Sequence, residues 1–233
     1  MNSGFRGFPP ETRKFLRQLA RNNNREWFLA HKDVYVTKVK EPMIELVTAL
    51  GGAIQSFAPE MVADPGRNIY RIYRDTRFSP DKTPYKTLVS ALFWPRGFQK
   101  HACASLYFHF GTSELLIAGG VYMPGPAELR MIRRHISDHW EEFRTIIRGR
   151  EFERLFGSLG GDQLARPPRD FPADHPAVDL LRYKQFLAWR TDPPELVESP
   201  RLFGRLVTAF AAMMPFIRFL NSPLLMKPPI ETN

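Results

Sequence analysis

The densest set of residues able to bind a ligand lies in the segment Asn68–Lys86, which reads NIYRIYRDTRFSPDKTPYK. Five basic side chains face only two acids there, and four aromatic residues lie between them. The basic residues are Arg71, Arg74, Arg77, Lys82 and Lys86, and the aromatic residues are Tyr70, Tyr73, Phe78 and Tyr85. Arginine offers planar, bidentate donors to phosphate or carboxylate, and lysine adds a point charge. The segment therefore predicts a site for a phosphorylated or carboxylated small molecule.

Other residues of this segment bear on what happens to such a ligand. Pro80 and Pro84 stiffen the chain, which reduces the entropy lost on binding. The ring of Tyr85 is a candidate to pack against the ligand. If catalysis occurs, Asp75 or Asp81 is the candidate base, because a carboxylate among arginines stays ionised. Whether the protein is an enzyme is left open, and the cofactor is unknown.

Two other interpretations of the basic segment stay open. In the first, Asp75 and Asp81 pair with Arg77 and Lys82, and the segment is an ion-pair latch that fixes a loop to the sheet of a non-catalytic structural domain. In the second, the protein binds nucleic acid through a basic surface with aromatic stacking. The chain has 33 Lys and Arg residues against 24 Asp and Glu, a net charge of +9, which favours an anionic partner.

The run Asn22–Asn24 is a second candidate. Asparagine amides at the start of a helix lie beside its positive dipole end, which suits an anion, so Asn24 and Arg25 are candidate ligand contacts. The alternative is a turn and a helix cap, with Asn23 as the N-cap residue and Glu26 in the capping-box position.

Metal and thiol chemistry find little support. His135 and His139 lie four residues apart with Asp138 between them, which resembles an H-x-x-E-H metal helix. Both histidines flank an apolar stripe and no third ligand is indicated, so no metal site is predicted. Cys103 is the single cysteine, which excludes an intramolecular disulfide, and a core position is expected for it.

The elements that must position these residues follow from the hydrophobic periodicity. Helices are predicted before residue 58, from Pro124 through Ile147, near Phe152–Phe156, and at Pro200–Leu220. Alternation predicts strands at Asn68–Arg74, Thr87–Trp94, Ala102–Phe110, Leu115–Tyr122 and Tyr183–Trp189. On the third of these strands, Ala104, Leu106, Phe108 and Phe110 point to one face, and Cys103, Ser105, Tyr107 and His109 point to the other.

Short connections between these strands predict an antiparallel meander covered by helices. The expected fold is α+β, with a single domain at residues 1–222 and a tail at residues 223–233. The N-terminus lacks the pattern of a signal peptide, and no apolar run is expected to approach the length of a membrane span. The sequence therefore predicts a cytoplasmic protein without a membrane partner, and its oligomeric state is unknown.

Four strings carry a resemblance to a known family: NNNREWF, RIYRDTRFSPDKTPYK, GGVYMPGP and RPPRDFPADHPAVDLL. In this order, between about Phe15 and Leu220, they look like DUF2461, a family of conserved hypothetical proteins. The resemblance implies one α+β domain and no established activity, substrate or cofactor. Residues that match the family pattern include Asn24, Arg25, Trp27, Arg71, Arg74, Asp75, Arg77, Asp81, Lys82, Pro84, Tyr85 and Lys86.

Overall fold

The computed structural model describes residues 4–225 of the chain. Helices make up 50% of the structure and strands 15%, which confirms the predicted α+β class. The helices in chain order are α1 (Pro10–Arg21), α2 (Arg25–Ala30), α3 (Lys32–Tyr35), α4 (Glu41–Phe57), α5 (Pro65–Asn68), α6 (Pro126–Asp138), α7 (Trp140–Ile147), α8 (Arg150–Phe156), α9 (Val178–Leu181) and α10 (Arg201–Leu225). A π-helical turn at Val36–Lys40 leads into α4, and a 3₁₀ turn at Pro194–Glu198 precedes α10.

Four strands form one antiparallel sheet, and neighbours in the sheet are neighbours in the chain. The strands are β1 (Val89–Phe93), β2 (Ser105–Phe110), β3 (Leu115–Val121) and β4 (Phe186–Asp192). The predicted meander is therefore confirmed. Along β2 the apolar side chains are fully buried, whereas Tyr107 and His109 on the opposite face are only partly buried, as the alternation predicts.

Two predicted elements are wrong. Asn68–Arg74 is not a strand, because α5 occupies its start and the rest makes only isolated bridges, between Ile69 and Ala91 and between Tyr73 and Tyr85. The predicted helix through Ile147 is two helices, because the backbone of His139 leaves the helical region with φ −128° and ψ 37°.

The chain divides into two compact units, and the first contains the basic segment. This unit comprises the chain up to Phe93 together with Tyr107–Ile117 and Thr191–Ala211. Its core includes Phe28 of α2, whose ring stacks on Tyr85 at a centroid distance of 4.1 Å. Burial of large apolar side chains of this kind supplies most of the folding free energy, so Tyr85 anchors the basic segment to the unit.

The second unit comprises Trp94–Leu106, Ala118–Arg190 and the chain from Ala212 onward. Its core is built around Phe143, whose ring lies 6.0 Å from that of Phe216 and 4.8 Å from that of Phe219. The predicted single domain at residues 1–222 stays a prediction. The predicted tail begins inside α10, which continues to Leu225, and the rest of the tail lies outside the described residues.

By length and composition, helix α10 is long and apolar enough to cross a membrane. Its most apolar 18-residue stretch has a mean hydropathy of 1.4. The expectation that no apolar run reaches that length is therefore wrong. However, 56% of this stretch is buried inside the protein, which is also typical of a core helix. Core helices of soluble proteins can have the same length and apolar composition.

Candidate functional site

The basic segment forms a hairpin without regular strands, closed by the bridge between Tyr73 and Tyr85. The backbone N–H of Arg74 donates to the carbonyl of Pro84 at 2.9 Å, and the N–H of Lys86 donates to the carbonyl of Ile72 at 2.8 Å. These bonds bring the two ends of the segment together and leave residues 75–83 as a loop, which we call the hairpin loop. The basic segment therefore contains a loop whose closing pair of residues lies within the segment itself.

Within the hairpin loop, Asp75 binds Arg77 through both carboxylate oxygens. Arg77 Nε donates to Asp75 Oδ1 at 3.0 Å, and Nη2 donates to Oδ2 at 2.7 Å. Hydrogen bonds from the Arg77 side chain and backbone lower the pKa of Asp75. Both partners are largely exposed, and an exposed ion pair contributes little to stability. The pair orders the loop, and it is one that the latch interpretation predicted.

Asp81 is held by Arg74 and Thr83, and not by Lys82 as the latch interpretation expected. The guanidinium of Arg74 donates to Asp81 Oδ2 and to the Thr83 hydroxyl, and the N–H of Thr83 donates to Asp81 Oδ1 at 2.9 Å. The bond from Thr83 N–H, followed by that from Arg74, lowers the pKa of Asp81 to about 2. Lys82 donates instead to the carbonyl of Thr76 at 2.9 Å.

The predicted catalytic role of Asp75 and Asp81 gains nothing from this geometry. A general base works best when its pKa lies near the operating pH, and both pKa values are lowered by hydrogen bonds that occupy the carboxylates. The two residues accept structural hydrogen bonds in the hairpin loop.

The asparagine run lies against this hairpin. Asn23 is not the helix cap: its side-chain amide donates to the carbonyl of Tyr85 at 2.9 Å and accepts from the Tyr85 N–H at 3.0 Å. Asn24 is the N-cap of α2 and accepts from the N–H of Trp27 at 2.9 Å. The N-cap residue is therefore one position later than predicted, because the side chain of Asn23 is bonded to the backbone of Tyr85. Arg25 is exposed and lies close enough to Tyr85 to oppose the rise of its pKa.

The aromatic residues of the segment divide by burial. Tyr85 is only 4% exposed, so its ring is part of the core and has no free face for the ligand stacking predicted for it. Phe78 is 93% exposed at the far end of the hairpin loop, where the guanidinium of Arg77 lies 5.7 Å from its ring centroid. Among the aromatic residues of the hairpin, Phe78 therefore offers the most exposed surface.

Arg71 and Lys86 differ from the other cations of the segment. Arg71 is exposed beside Ile72, whose carbonyl accepts the Lys86 N–H, so the two residues are neighbours across the hairpin. Burial, and then the charge of Arg71, lowers the pKa of Lys86. Lys86 Nζ lies 5.1 Å from the ring centroid of Tyr70, a cation–π contact. In the described part of the chain, neither side chain forms an ion pair with a carboxylate.

Polar side chains continue from Tyr70 onto the face of the sheet that bears Tyr107 and His109. The ring of Tyr70 lies 6.4 Å from that of Tyr107, where burial raises the pKa of Tyr107 and the nearby, buried Ser90 side chain opposes the rise. His109 Nδ1 lies 3.1 Å from Tyr107 Oη, and His109 Nε2 lies 3.4 Å from Glu114 Oε1. Burial lowers the pKa of His109, against the opposing effect of Glu114, and raises the pKa of Tyr70 to about 12.

No function is predicted for this polar face from the sequence. Alternation on β2 places Tyr107 and His109 on one side, but Ser90 and Glu114 come from other parts of the chain. The sequence offered one signal for this face: three outward positions of β2 in succession carry polar residues. A strand face in contact with water needs polar residues, but not histidine or tyrosine in particular.

The histidine pair and the cysteine that were considered from the sequence lie in the second unit. His135 and His139 have ring centroids 4.6 Å apart and line a cleft of about 530 Å³ with Glu142, Arg218 and Phe219. Among residues 4–225, no group of three or more His, Cys, Asp and Glu side chains is arranged to hold a metal ion. Burial raises the pKa of the Cys103 thiol to about 11, which disfavours the nucleophilic thiolate.

A comparison with protein families gives a match over most of the chain. The model of a family described as "Conserved hypothetical protein (DUF2461)" matches residues 11–219. The match includes the asparagine run, the hairpin and the polar face of the sheet. A comparison with curated proteins finds no match.

Proposed function

The chain belongs to the DUF2461 family, and from the geometry of its first unit we propose that it binds a small anionic ligand, phosphorylated or carboxylated, between Arg71 and Lys86. This proposal narrows the predicted set of ligand contacts. Arg74, Arg77 and Lys82 serve the hairpin loop, because each is bonded to an acceptor within it.

The observation that carries the proposal is a pair of neighbouring cations without a bound carboxylate. Partial burial, and then the charge of Arg71, lower the pKa of Lys86, and the two positive charges repel each other in the folded protein. A protein that keeps such a pair together gains free energy when an anion binds and neutralises both. Asp75 lies within electrostatic range of Arg71, but both oxygens of Asp75 accept from Arg77.

The hairpin supplies the rigidity that this site needs. The Asn23 side chain and the stacked ring of Tyr85 fix the side of the hairpin that bears Lys86. The bridge between Tyr73 and Tyr85 fixes the side that bears Arg71. A site whose side chains are held before binding loses less entropy when the ligand arrives. The ion pairs of the hairpin loop would therefore support the anion site by keeping the hairpin in one conformation.

Titration calorimetry tests the proposal with inorganic phosphate and with citrate as probes. The double variant Arg71→Ala/Lys86→Met is compared with Arg77→Ala, a matched control that removes an exposed arginine already paired with Asp75. We expect the double variant to lose about tenfold or more in affinity, since each charge-assisted hydrogen bond contributes roughly 1.5–3 kcal/mol. The control keeps the wild-type affinity.

Two results would contradict the proposal. One is that wild-type protein binds neither probe at low ionic strength. The other is that Arg77→Ala weakens binding as much as the double variant, which would mean that net charge and not the Arg71–Lys86 pair attracts the anion. Melting temperatures of all variants establish that each is folded at the temperature of the titration.

Nucleic-acid binding is the second candidate, and the exposed ring of Phe78 beside Arg77 favours it. A free aromatic face next to a guanidinium can stack an unpaired base. For single-stranded oligonucleotides, we expect the logarithm of the affinity to fall steeply with the logarithm of salt concentration, and Phe78→Ala to weaken binding. Unchanged binding in Phe78→Ala would remove this candidate.

A further inference from the structure

We infer that the ligand of the Arg71–Lys86 site is a phosphate monoester of a small hydroxylated molecule, with its hydroxyl groups bound by Tyr107 and Glu114 on the sheet. The inference rests on the proposed anion site and adds the chemical class of the ligand. It follows from two observations, the charge at one end of the polar face and the hydrogen-bond acceptors at the other.

The charge at the first end matches a phosphate monoester better than a single carboxylate. Arg71 and Lys86 together carry two positive charges, and a phosphate monoester carries roughly −1.5 to −2 at neutral pH. Such a group neutralises both cations, whereas one carboxylate neutralises only one. The guanidinium of Arg71 can bind two phosphate oxygens side by side, and the ammonium of Lys86 can bind the third as a point charge.

The direction of the hydrogen bonds at the other end follows from Glu114. An ionised carboxylate only accepts, so the proton of neutral His109 lies on Nε2, which donates to Glu114 over the long distance of 3.4 Å. Nδ1 is then an acceptor, and the hydroxyl of Tyr107 donates to it at 3.1 Å.

This order leaves acceptors, and not donors, facing the ligand. Tyr107 has given its single proton to His109, so the remaining lone pair on its oxygen can only accept. Glu114 is 40% exposed, and its other oxygen also accepts. The negative charge of Glu114 repels a second anionic group, while a neutral hydroxyl can donate to it. The body of the ligand at this end is therefore neutral and carries hydroxyl groups.

The ring of Tyr70 connects the two ends. Its face contacts Lys86, and its ring meets that of Tyr107 at a steep angle of 69°. The path from the cations to the acceptors therefore runs along one continuous surface of the first unit. A ligand that reaches both ends needs its phosphate and its hydroxyls on the same short carbon frame.

Two phosphate esters with the same three-carbon chain test the inference by titration calorimetry. Glycerol 3-phosphate has two hydroxyl groups, and propyl phosphate has none. We expect wild-type protein to bind glycerol 3-phosphate at least about tenfold more tightly, which corresponds to one or two added hydrogen bonds. Tyr107→Phe, which removes only the phenolic oxygen, and Glu114→Ala should each reduce this preference and leave the affinity for inorganic phosphate within about twofold.

The outcomes separate the inference from the proposed function. If neither inorganic phosphate nor citrate binds, both are wrong. If citrate binds but inorganic phosphate does not, the anion site stands and the inference is overturned. If phosphate binds but the two esters bind equally, the anion site stands and the inference is overturned. A Tyr107→Phe variant that weakens inorganic phosphate as much as glycerol 3-phosphate also overturns it, because the oxygen would then act on the anion site and not on the hydroxyls. Glu114→Ala keeps the test valid if Tyr107→Phe does not fold.

The same chemistry occurs in free esters and in phosphoinositide headgroups, and sedimentation distinguishes these sources. Vesicles of phosphatidylcholine with phosphatidylinositol 4-phosphate should retain wild-type protein but not Arg71→Ala if the headgroup is the source. Protein that stays in solution while binding glycerol 3-phosphate assigns the site to a free ester.

Discussion

The hairpin loop and the sheet end of the same hairpin carry similar charges in opposite arrangements. In the loop, Arg74 and Arg77 each bind an aspartate, and Lys82 binds a backbone carbonyl. At the sheet end, the charge of Arg71 acts on Lys86, and neither side chain forms an ion pair with a carboxylate in the described residues. The difference indicates that charge density along a sequence locates a charged segment, whereas the pairing of charges indicates which part of it can take a ligand.

The largest expected effect tests the sheet end of this comparison, where packing of Tyr85 fixes the side of the hairpin that bears Lys86. Tyr85→Ala removes a buried ring that stacks on Phe28, and we expect it to lower the free energy of unfolding by about 3–5 kcal/mol, the usual cost of deleting a core aromatic residue. Chemical denaturation measures the change. The matched control is Phe78→Ala, which should stay within about 0.5 kcal/mol because its ring is exposed.

A small effect of Tyr85→Ala, similar to that of Phe78→Ala, would contradict the assignment. The ring of Tyr85 would then be free for a ligand, as the sequence predicted. The contrast between a structural loop and a binding sheet end would disappear with it.

The sequence was sufficient for the regular elements and for the position of the segment. Alternating apolar residues predicted β2 and β3 to within a few residues, because each strand has one buried face. The prediction of a strand at the start of the segment was wrong, because Asp64 caps a short helix that ends at Asn68. Asn68 is fully buried and donates to the carbonyls of Val62 and Leu92, so tertiary contacts decide its conformation against the local alternation.

The site itself could be predicted only in part. Arg71 and Lys86 were among the named residues, but so were the cations of the loop, since a sequence does not show which carboxylate reaches which base. Asp81 pairs with Arg74, seven positions earlier, and not with its neighbour Lys82. The approach of Ser90 to Tyr107 depends on the pairing of β1 with β2, which no local pattern specifies, whereas the contact of Tyr107 with His109 lies within β2.

A pH-dependent effect of intermediate size sharpens the comparison. The pKa of Asp81 is lowered from an ordinary value of 3.8 to about 2, so its bonds stabilise the folded state above about pH 4 and are lost as the pH falls toward 2. The melting temperature of Asp81→Asn should therefore lie below that of the wild type at pH 5. The difference should shrink between pH 4 and pH 2, because the wild-type carboxylate becomes protonated.

The expected size of this difference is small, because Asp81 is exposed and water screens its pairs. A difference that stayed constant from pH 5 to pH 2 would show that the substitution acts through packing and not through the charge. Thermal denaturation followed by circular dichroism at closely spaced pH values measures the trend. Asp162→Asn, at a carboxylate of the second unit, is the control for the general effect of removing one negative charge.

The smallest expected change in stability comes from Lys86→Met, and it tests the sheet end directly. Methionine keeps an unbranched apolar stem against Tyr70 while removing the charge that Arg71 repels. The free energy of unfolding should therefore rise or stay within about 0.5 kcal/mol of the wild-type value, although phosphate affinity falls. A loss of stability comparable to that of a core substitution would mean that Lys86 holds the hairpin together. Its charge would then be satisfied inside the protein like those of the loop, and an anion would have no free energy to gain there.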